Sequence, residues 1–400
     1  MGGWLGGADD DIAVAMTDHA IGYAELRSLV AELELPSEGV VEAHDPDPVR
    51  MLALVLASLA RGRPVLVSNP DDPAVPPSEL PVGAGLLLRT SGSSGLARTV
   101  ARTAASWTAS FVPFARITGV TSHDTVMPTG PLHVSMHLFA ALHTLWLGGC
   151  VSDDVRRATV AHCTPTMLDR LLSSPGQLRR AVVAGAALSG RAAAAATTAG
   201  IDIVEYYGAA ELSFVAADRD RGGLRAFPGV DVAVRDGTLW VRSPYLSLGY
   251  VDAAVSGPFR HDETGFSTVG DLAELDADGR IRIRGRGTAA ITTAGTTIVS
   301  EDVERVLETL PGVRTAAVIG EAHPVLGESV LAVLELDDPS VDPRAAAREH
   351  LAAAELPRRW LVVDAVPRTE SGKIAKGELT ARLADGRLPS RRVGNGDVDG

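Results

Sequence analysis

The segment between positions 90 and 98 carries the clearest chemical signal in the chain. It comprises Thr90, Ser91, Gly92, Ser93, Ser94, Gly95 and Arg98, and it follows an apolar run at 85–88 that predicts a strand. Glycines let the backbone turn several N–H groups toward one point, and the hydroxyls add donors, so the loop suits a polyphosphate. A flexible Gly/Ser linker has a similar composition, and the loop alone leaves both interpretations open.

Further short motifs follow this loop along the chain. They are Tyr207-Gly208-Ala209-Ala210-Glu211, Gly270-Asp271, Gly285-Arg286, Glu301-Asp302-Val303-Glu304 and Pro367-Arg368-Thr369-Glu370-Ser371-Gly372-Lys373-Ile374. Each has an ordinary structural explanation when it is considered alone. An aspartate beside a glycine is usually a turn residue, a tyrosine usually packs in the core, and a lysine is usually solvated. Their joint occurrence in this order is far more specific than any single motif.

Together the motifs resemble those of the AMP-forming adenylate superfamily, which includes acyl-CoA synthetases, carrier-protein adenylation domains and luciferases. The resemblance extends over about residues 84 to 380. It implies an enzyme that joins a carboxylic acid to AMP, with release of pyrophosphate, and then passes the acyl group to a thiol. ATP, Mg²⁺ and CoA are the implied cofactor and substrates.

The resemblance also implies a role for individual residues. Thr90, Ser91 and Ser93 would cradle the phosphates, with Gly92, Ser94, Gly95 and Arg98 completing the loop, and Glu211 would hold Mg²⁺. Tyr207 would stack on adenine beside Gly208 and Ala210, while Gly185, Ala186 and Ala187 would wrap the same ring. Asp271 would bind the ribose hydroxyls and Arg286 would assist at ribose or phosphate. Lys373 would bring positive charge to the reacting carboxylate, and His133 would gate the acyl tunnel.

Several features depart from the family pattern. Arg98 stands where a lysine is usual, which keeps the charge but changes the geometry of its donors. Ala210 replaces a threonine and removes one hydroxyl near the metal-binding glutamate. The expected hinge, residues 287–290, carries no charge, although the family usually has Asp or Lys there.

The stretch from Leu132 to His137 bears on the substrate. It contains no acidic residue that could pair with an ammonium group, and an unpaired buried cation is very costly, so a simple organic acid is favoured over an α-amino acid. His133 and His137 are four residues apart, as zinc ligands on a helix can be. A zinc site is nevertheless disfavoured, because no acid lies between Pro131 and Gly149 to complete it, and we expect His137 and His143 to pack.

Composition is typical of a globular enzyme. The 400 residues are 46% hydrophobic and 22% charged, with a net charge of -13, which argues against binding to nucleic acid or anionic membranes. Cys150 and Cys163 are the only cysteines, so we expect a reducing compartment, the cytoplasm. No apolar run reaches the roughly 18–20 residues of a membrane span.

The pattern of elements predicts an α/β protein. Strand-like runs at 64–67, 181–184 and 201–204 alternate with helical ones at 50–59 and 192–196, which favours a parallel sheet covered by helices. We expect a large multi-subdomain α/β domain, abridged at its N-terminus, over residues 1–286. A small mobile α+β domain is expected at 287–386, with a helix at 343–354, followed by a disordered tail at 387–400.

Three functional hypotheses follow. The favoured one is an acyl- or aryl-CoA ligase whose partners are a small-molecule carboxylic acid, ATP and CoA. The second is an adenylating enzyme that passes the acyl group to an amine or to a carrier-protein thiol supplied in trans. The third is a nucleotide-binding relative that has lost catalysis, a possibility to which Ala210 and the uncharged hinge lend weak support.

Overall fold

A computed structural model describes residues 3–73, 75–90, 98–251, 257–286, 290–293, 296–338, 340–370 and 372–393. The first strands are β1 (Ile12–Ala15), β2 (Ala20–Gly22), β3 (Val41–Ala43), β4 (Val65–Val67), β5 (Leu86–Thr90), β6 (Arg98–Arg102), β7 (Thr125–Pro128), β8 (Cys150–Ser152), β9 (Val160–Cys163), β10 (Arg180–Val183), β11 (Asp202–Ala209), β12 (Ser213–Asp218) and β13 (Arg225–Ala226). The later strands are β14 (Asp231–Arg235), β15 (Thr238–Arg242), β16 (Gly249–Tyr250), β17 (Arg260–His261), β18 (Ser267–Thr268), β19 (Asp271–Leu275), β20 (Ile281–Arg286), β21 (Ala290–Thr293), β22 (Thr296–Val299), β23 (Val313–His323), β24 (Gly327–Leu336), β25 (Arg359–Val362) and β26 (Arg391–Arg392).

The helices of the described ranges are α1 (Tyr23–Glu32), α2 (Pro48–Ala60), α3 (Ala104–Thr108), α4 (Phe111–Thr118), α5 (Ser135–Leu147), α6 (Pro165–Leu172), α7 (Gly190–Thr198), α8 (Ser300–Leu307), α9 (Arg344–His350) and α10 (Lys376–Ala384). Side-chain caps fix the beginnings of several of them. Asp47 accepts from the backbone N–H of Val49 at the start of α2, and Ser189 accepts from Ala192 at the start of α7. None of the helices in these ranges is both long enough and apolar enough to cross a bilayer.

A nine-stranded sheet organises the large N-terminal part of the chain. Its order is β13-β12-β11-β10-β9-β7-β8-β1-β2, and every neighbouring pair from β11 to β1 is parallel. The apolar runs at 181–184 and 201–204 supply β10 and the start of β11, where β-branched residues fill a sheet that is buried on both faces. The carboxyl ends of β7, β9, β10 and β11 therefore meet at one edge of the sheet.

Two further sheets complete this part of the molecule. In the first, of order β16-β6-β5-β4-β3, β5 and β6 form an antiparallel hairpin. Thr90 ends β5 and Arg98 begins β6, so the predicted phosphate loop connects the two strands; residues 91–97 themselves lie outside the described ranges. The second sheet contains β14, β15 and β17 to β20, and the Asp236-Gly237 turn joins β14 to β15 as the sequence predicts.

The C-terminal part of the chain has its own sheet and core. Its order is β22-β21-β24-β25-β26, with β23 paired to β24, and α8, α9 and α10 complete the unit. The Glu304 carboxylate on α8 joins three elements. It lies 2.8 Å from Nζ of Lys376 on α10 and accepts from the backbone N–H of Val318 on β23 at 2.7 Å.

Two sequence-based expectations are wrong in this part of the chain. The helix expected at 343–354 ends at His350, because Leu351 turns to an extended conformation and is buried in the core. The disordered tail expected from residue 387 is wrong for residues 391–393. Arg391 and Arg392 pair antiparallel with β25, and Val393 is 7% exposed, since its side chain closes the small core.

Buried histidines and aromatic rings form the core between α4, α5 and the nine-stranded sheet. Phe139 packs edge to face against both Phe111 and Phe114, and Nε2 of His143 lies 3.1 Å from the carbonyl oxygen of Phe111. Burial lowers the pKa of both His137 and His143 to about 4. The same desolvation holds the pKa of His162 well below its ordinary value.

These histidines make the stability of the fold dependent on pH. Each binds its proton more readily in the unfolded chain, where its pKa is about 6.5. Their contribution is therefore complete above that value and is lost as pH falls toward 4. We expect the free energy of unfolding in urea to decrease between about pH 7 and pH 5, by up to about 1.4 kcal/mol per pH unit for each histidine.

Replacement of His143 by glutamine tests this dependence, because the amide keeps a donor for the Phe111 carbonyl but does not titrate. The slope of the unfolding free energy against pH should fall by the contribution of one histidine, which is up to about 1.4 kcal/mol per pH unit. His19→Gln, at an exposed position, is the matched control. A slope identical to that of the unmodified protein would contradict the prediction.

Candidate active site

Glu211 lies in the turn between β11 and β12, at the edge where the parallel strands end. Its side chain is 6% exposed, and Oε1 accepts a hydrogen bond of 2.7 Å from the hydroxyl of Tyr250. Tyr250 belongs to β16, which pairs with β6, and its ring centre lies 5.7 Å from the Arg98 guanidinium carbon. The ring of Tyr250 thus links the metal-binding candidate to the end of the predicted phosphate loop.

Arg102 supports the same turn, a role that was not predicted from the sequence. This side chain on β6 is 1% exposed and donates to the backbone carbonyl of Ala210 at 2.6 Å and to that of Tyr245. Burial lowers the pKa of the guanidinium to about 9, while the neighbouring Glu211 raises it. The sequence did contain a signal for this role, because Arg102 ends the apolar strand segment Val100-Ala101. A cation that is buried with such a strand must find partners, since burial of an unpaired cation is costly.

Tyr207 and Asp271 come from different sheets and meet. The hydroxyl of Tyr207, on β11, donates to Oδ2 of Asp271, which begins β19 and is 6% exposed. Asp271 is the register partner of Arg286 on β20, so the backbones of these two predicted ribose-binding residues are adjacent. The side chain of Arg286 lies outside the described part of the chain.

The segment Gly185-Ala186-Ala187 forms an exposed turn after β10, next to the strand that carries Tyr207. Gly185 has φ +94°, a conformation that glycine adopts without a steric penalty. The turn is tied to β11, because the backbone N–H of Leu188 donates to Oε1 of Glu205 at 3.4 Å. Burial raises the pKa of this Glu205 carboxyl.

The predicted lysine motif docks onto this edge from the C-terminal unit. A Cβ added to Gly185 would lie 3.0 Å from Cε of Lys373, so the lysine side chain packs against the predicted adenine-binding turn. Gly372 approaches Thr164, which follows β9, and Arg368 donates to Oγ1 of Thr166 at 2.7 Å. The motif therefore contacts residues that follow two neighbouring parallel strands.

Glu370 in the same motif makes two further contacts with the large N-terminal part. Oε2 lies 2.5 Å from Nε2 of His133, and Oε1 accepts from the side-chain amide of Asn69 at 2.9 Å. His133 follows β7 of the nine-stranded sheet, and Asn69 follows β4 of the five-stranded sheet. Neither Glu370 nor Asn69 has a role that could be predicted from the sequence, since residues 301 positions apart give no local signal.

The structure thus brings together most of the predicted site residues that it describes. Thr90 pairs with Arg98, Arg98 approaches Glu211 through Tyr250, Tyr207 meets Asp271, and Lys373 lies at Gly185. Ser91, Gly92, Ser93, Ser94 and Gly95 lie outside the described ranges. His137 is buried on α5, and neither of its ring nitrogens has a hydrogen-bond partner among the residues that the structure describes. The roles of all these residues remain predictions.

This α/β fold, with its candidate site at the strand edge and its smaller C-terminal unit, is that of a nucleotide-binding enzyme. The chain belongs to the AMP-binding enzyme family: the family model matches residues 9–251, and the model of the AMP-binding enzyme C-terminal domain matches residues 302–373. The family resemblance, the α/β fold class and the expectation of an enzyme are confirmed.

Among curated relatives, an uncharacterized acyl–CoA ligase of Bacillus subtilis, YhfT, is 29% identical over 74% of this chain and 68% of its own length. The fatty acid–[acyl-carrier-protein] ligase MmaC of Mycobacterium marinum is 34% identical over 44% of this chain, and the match spans about a third (34%) of that protein. A solved structure of E. coli MenE with bound OSB-AMS has a TM-score of 0.81 at 23% identity, covering 94% of this chain and 96% of that chain.

Gly208 offers a test of how tightly the Tyr207 strand is held. A Cβ at this position would lie 2.2 Å from the backbone oxygen of Ser213, at the irregularity between β11 and β12. We expect Gly208→Ala to cost about 1–3 kcal/mol of unfolding free energy, because the strands must separate. ATP affinity, measured by calorimetry, should fall with it.

Gly190 supplies the matched control for that variant. It begins α7, and a Cβ there would meet nothing within 4 Å. Gly190→Ala should leave ATP affinity unchanged and should raise the unfolding free energy by up to about 1 kcal/mol. Equal effects of the two substitutions would show that the approach of Gly208 to Ser213 imposes no constraint.

Proposed function

We propose that this chain activates a carboxylic acid with ATP and transfers the acyl group to the thiol of CoA. A carboxylate oxygen of the acid attacks the α-phosphorus, and the bond to pyrophosphate breaks, which gives an acyl-adenylate. The thiol sulfur then attacks the acyl carbon, AMP leaves, and the thiol proton passes to solvent. The observation that carries this proposal is that Lys373 packs against the Gly185 turn, at the same strand edge where Tyr207 meets Asp271.

The nucleotide would lie along the edge of the nine-stranded sheet. Tyr207 and the Gly185-Ala186-Ala187 turn would hold adenine, and the buried Asp271 carboxylate would accept from the ribose hydroxyls. The hairpin between Thr90 and Arg98 would receive the β- and γ-phosphates. In this proposed order the α-phosphate would lie between the adenosine subsite and the loop, within reach of the lysine, as in-line attack by the carboxylate requires.

The residues around Glu211 fit a magnesium ion that arrives with ATP. The carboxylate is buried, and the described ranges hold no group of three or more His, Cys, Asp or Glu that could bind a metal without ATP. A lone carboxylate suits Mg²⁺, which completes its octahedral shell with phosphate oxygens and water. When bound, the ion would neutralise phosphate charge, while Tyr250 would orient the carboxylate and Arg102 would hold its turn.

Glu211→Gln tests that assignment. The amide keeps the size of the side chain and loses the charge, so the Mg²⁺ concentration needed for half-maximal pyrophosphate release should rise about tenfold or more. The exposed Glu349→Gln is the control. An unchanged magnesium titration would remove Glu211 from the metal site.

Lys373 can be tested by mutagenesis without ambiguity about which lysine acts. The sequence contains two lysines, and the other, Lys376, is engaged within the C-terminal unit by Ser300 and Glu304, each 2.8 Å away. We expect Lys373→Ala to slow acyl-adenylate formation by on the order of a hundredfold, because positive charge at the reacting oxygens is lost. Consumption of supplied acyl-adenylate by CoA should change by less than about twofold.

The measurements are acid-dependent pyrophosphate release and thioester formation from synthetic acyl-adenylate. Arg348→Ala, at an exposed position of α9, controls for removal of positive charge from the C-terminal unit. Normal pyrophosphate release by Lys373→Ala would refute the role of the lysine.

The acid is proposed to be a simple aryl or aliphatic carboxylic acid. Residues 132–137 lead into α5 without an acidic side chain that could pair with a substrate ammonium. His133, the proposed gate of the acyl tunnel, is held by Glu370, which lies in the loop that carries Lys373, hereafter the lysine loop. The similarity to YhfT favours CoA as the acceptor, and the similarity to MmaC keeps a carrier-protein thiol as the alternative.

The decisive experiment is pyrophosphate release across aryl, short-chain and long-chain acids, with and without CoA. Release accompanied by a CoA thioester would support the ligase and identify its substrate class. Release without a thioester would favour a carrier protein or an amine as acceptor. No release with any acid, despite ATP binding, would contradict the proposal.

A further inference from the structure

We propose that Glu370 is a positioning residue for acyl-adenylate formation: by joining the lysine loop to His133 and Asn69, it holds Lys373 in its docked position. This inference rests on the proposed function and adds to it a residue that sets the balance between the two half-reactions. Glu370 acts through the placement of Lys373 and is not itself assigned a contact with the reactants.

The contacts of Glu370 bridge two sheets. One carboxylate oxygen lies 2.5 Å from Nε2 of His133, beyond β7, and the other accepts from the amide of Asn69, beyond β4, at 2.9 Å. The two partners belong to different sheets of the N-terminal part, and both positions lie just past strand ends. Because its two carboxylate oxygens contact partners in different sheets, Glu370 restrains both the orientation of the loop and the distance of the loop from the N-terminal part.

The loop transmits the position of Glu370 to Lys373, because it is closed upon itself. The backbone N–H of Thr369 donates to the carbonyl of Lys373 at 2.8 Å, and that of Gly372 donates to the carbonyl of Thr369 at 2.8 Å. A bridge between Arg368 and Ile374 closes its base. Glu370 and Lys373 therefore move as one unit.

The Glu370–His133 contact is weak, which suits a contact that must break before thiol transfer. The Glu370 side chain is 55% exposed and that of His133 is 12% exposed, so water screens their contact and keeps it weak. The family resemblance implies that the small C-terminal domain rotates after acyl-adenylate formation and withdraws Lys373. A weak contact present only in the docked arrangement would shift the populations of the two arrangements severalfold. Loss of the contact should lower adenylation and leave thiol transfer intact or faster.

Four single variants and one double variant test this proposal, each assayed separately for pyrophosphate release and for thioester formation from supplied acyl-adenylate. Glu370→Ala, which removes both contacts, should slow pyrophosphate release about tenfold. Glu370→Gln keeps an acceptor for Asn69 and should slow it about threefold. The exposed Glu349→Ala should match the unmodified protein.

The fourth variant, Asn69→Asp, places a second carboxylate against Glu370. It keeps an oxygen for the backbone N–H of Asp71, which Asn69 accepts at 3.0 Å, so the local turn is preserved. Repulsion should slow pyrophosphate release more than Glu370→Gln does. Adding Glu370→Gln to Asn69→Asp removes the repulsion and should restore the rate to that of Glu370→Gln alone.

Three results would overturn the inference. They are an unchanged rate of pyrophosphate release in Glu370→Ala, an equal loss of both half-reactions in that variant, and absence of rescue in the double variant. Failure of the unmodified protein to release pyrophosphate with any acid would instead contradict the proposed function, and the inference with it.

Discussion

The convergence of parallel strand ends is the constraint on which the rest of this structure depends. β7, β9, β10 and β11 run in one direction, so the residues that follow them share one edge of the nine-stranded sheet. His133, Thr164, Gly185 and Glu211 all come after these strands. No local sequence preference would gather them, because hydrogen bonding between parallel strands requires long crossover connections.

Two protein groups of opposite charge interact at that edge. The Glu211 carboxylate and the Arg102 guanidinium are both buried and influence each other electrostatically, which offsets part of the cost of taking either from water. Arg102 uses its donors on backbone carbonyls, one of them that of Ala210. The turn that presents Glu211 is thus held through its main chain at the position where the family has a threonine.

The C-terminal unit supplies the remaining charge through a loop and not through its core. Its sheet and its Glu304–Lys376 contact are internal, whereas Arg368, Glu370 and Lys373 face the edge of the N-terminal sheet. A division of this kind would let the unit keep its fold if its contacts with the edge were to form and break. The lysine loop also carries both the solvent-screened Glu370–His133 contact and the proposed catalytic cation, Lys373.

Much of this protein was determined by the sequence alone. Apolar runs fixed β10 and β11, the Asp236-Gly237 pair fixed a hairpin, and the ordered motifs fixed the family, because each of these signals is local or is read in chain order. The tertiary structure alone decided the contacts of Arg102, Asn69 and Glu370 and the pairing of β26. These depend on residues that lie far apart in the chain and meet only through packing, and their energies come from burial and long-range charge pairs that no short segment encodes.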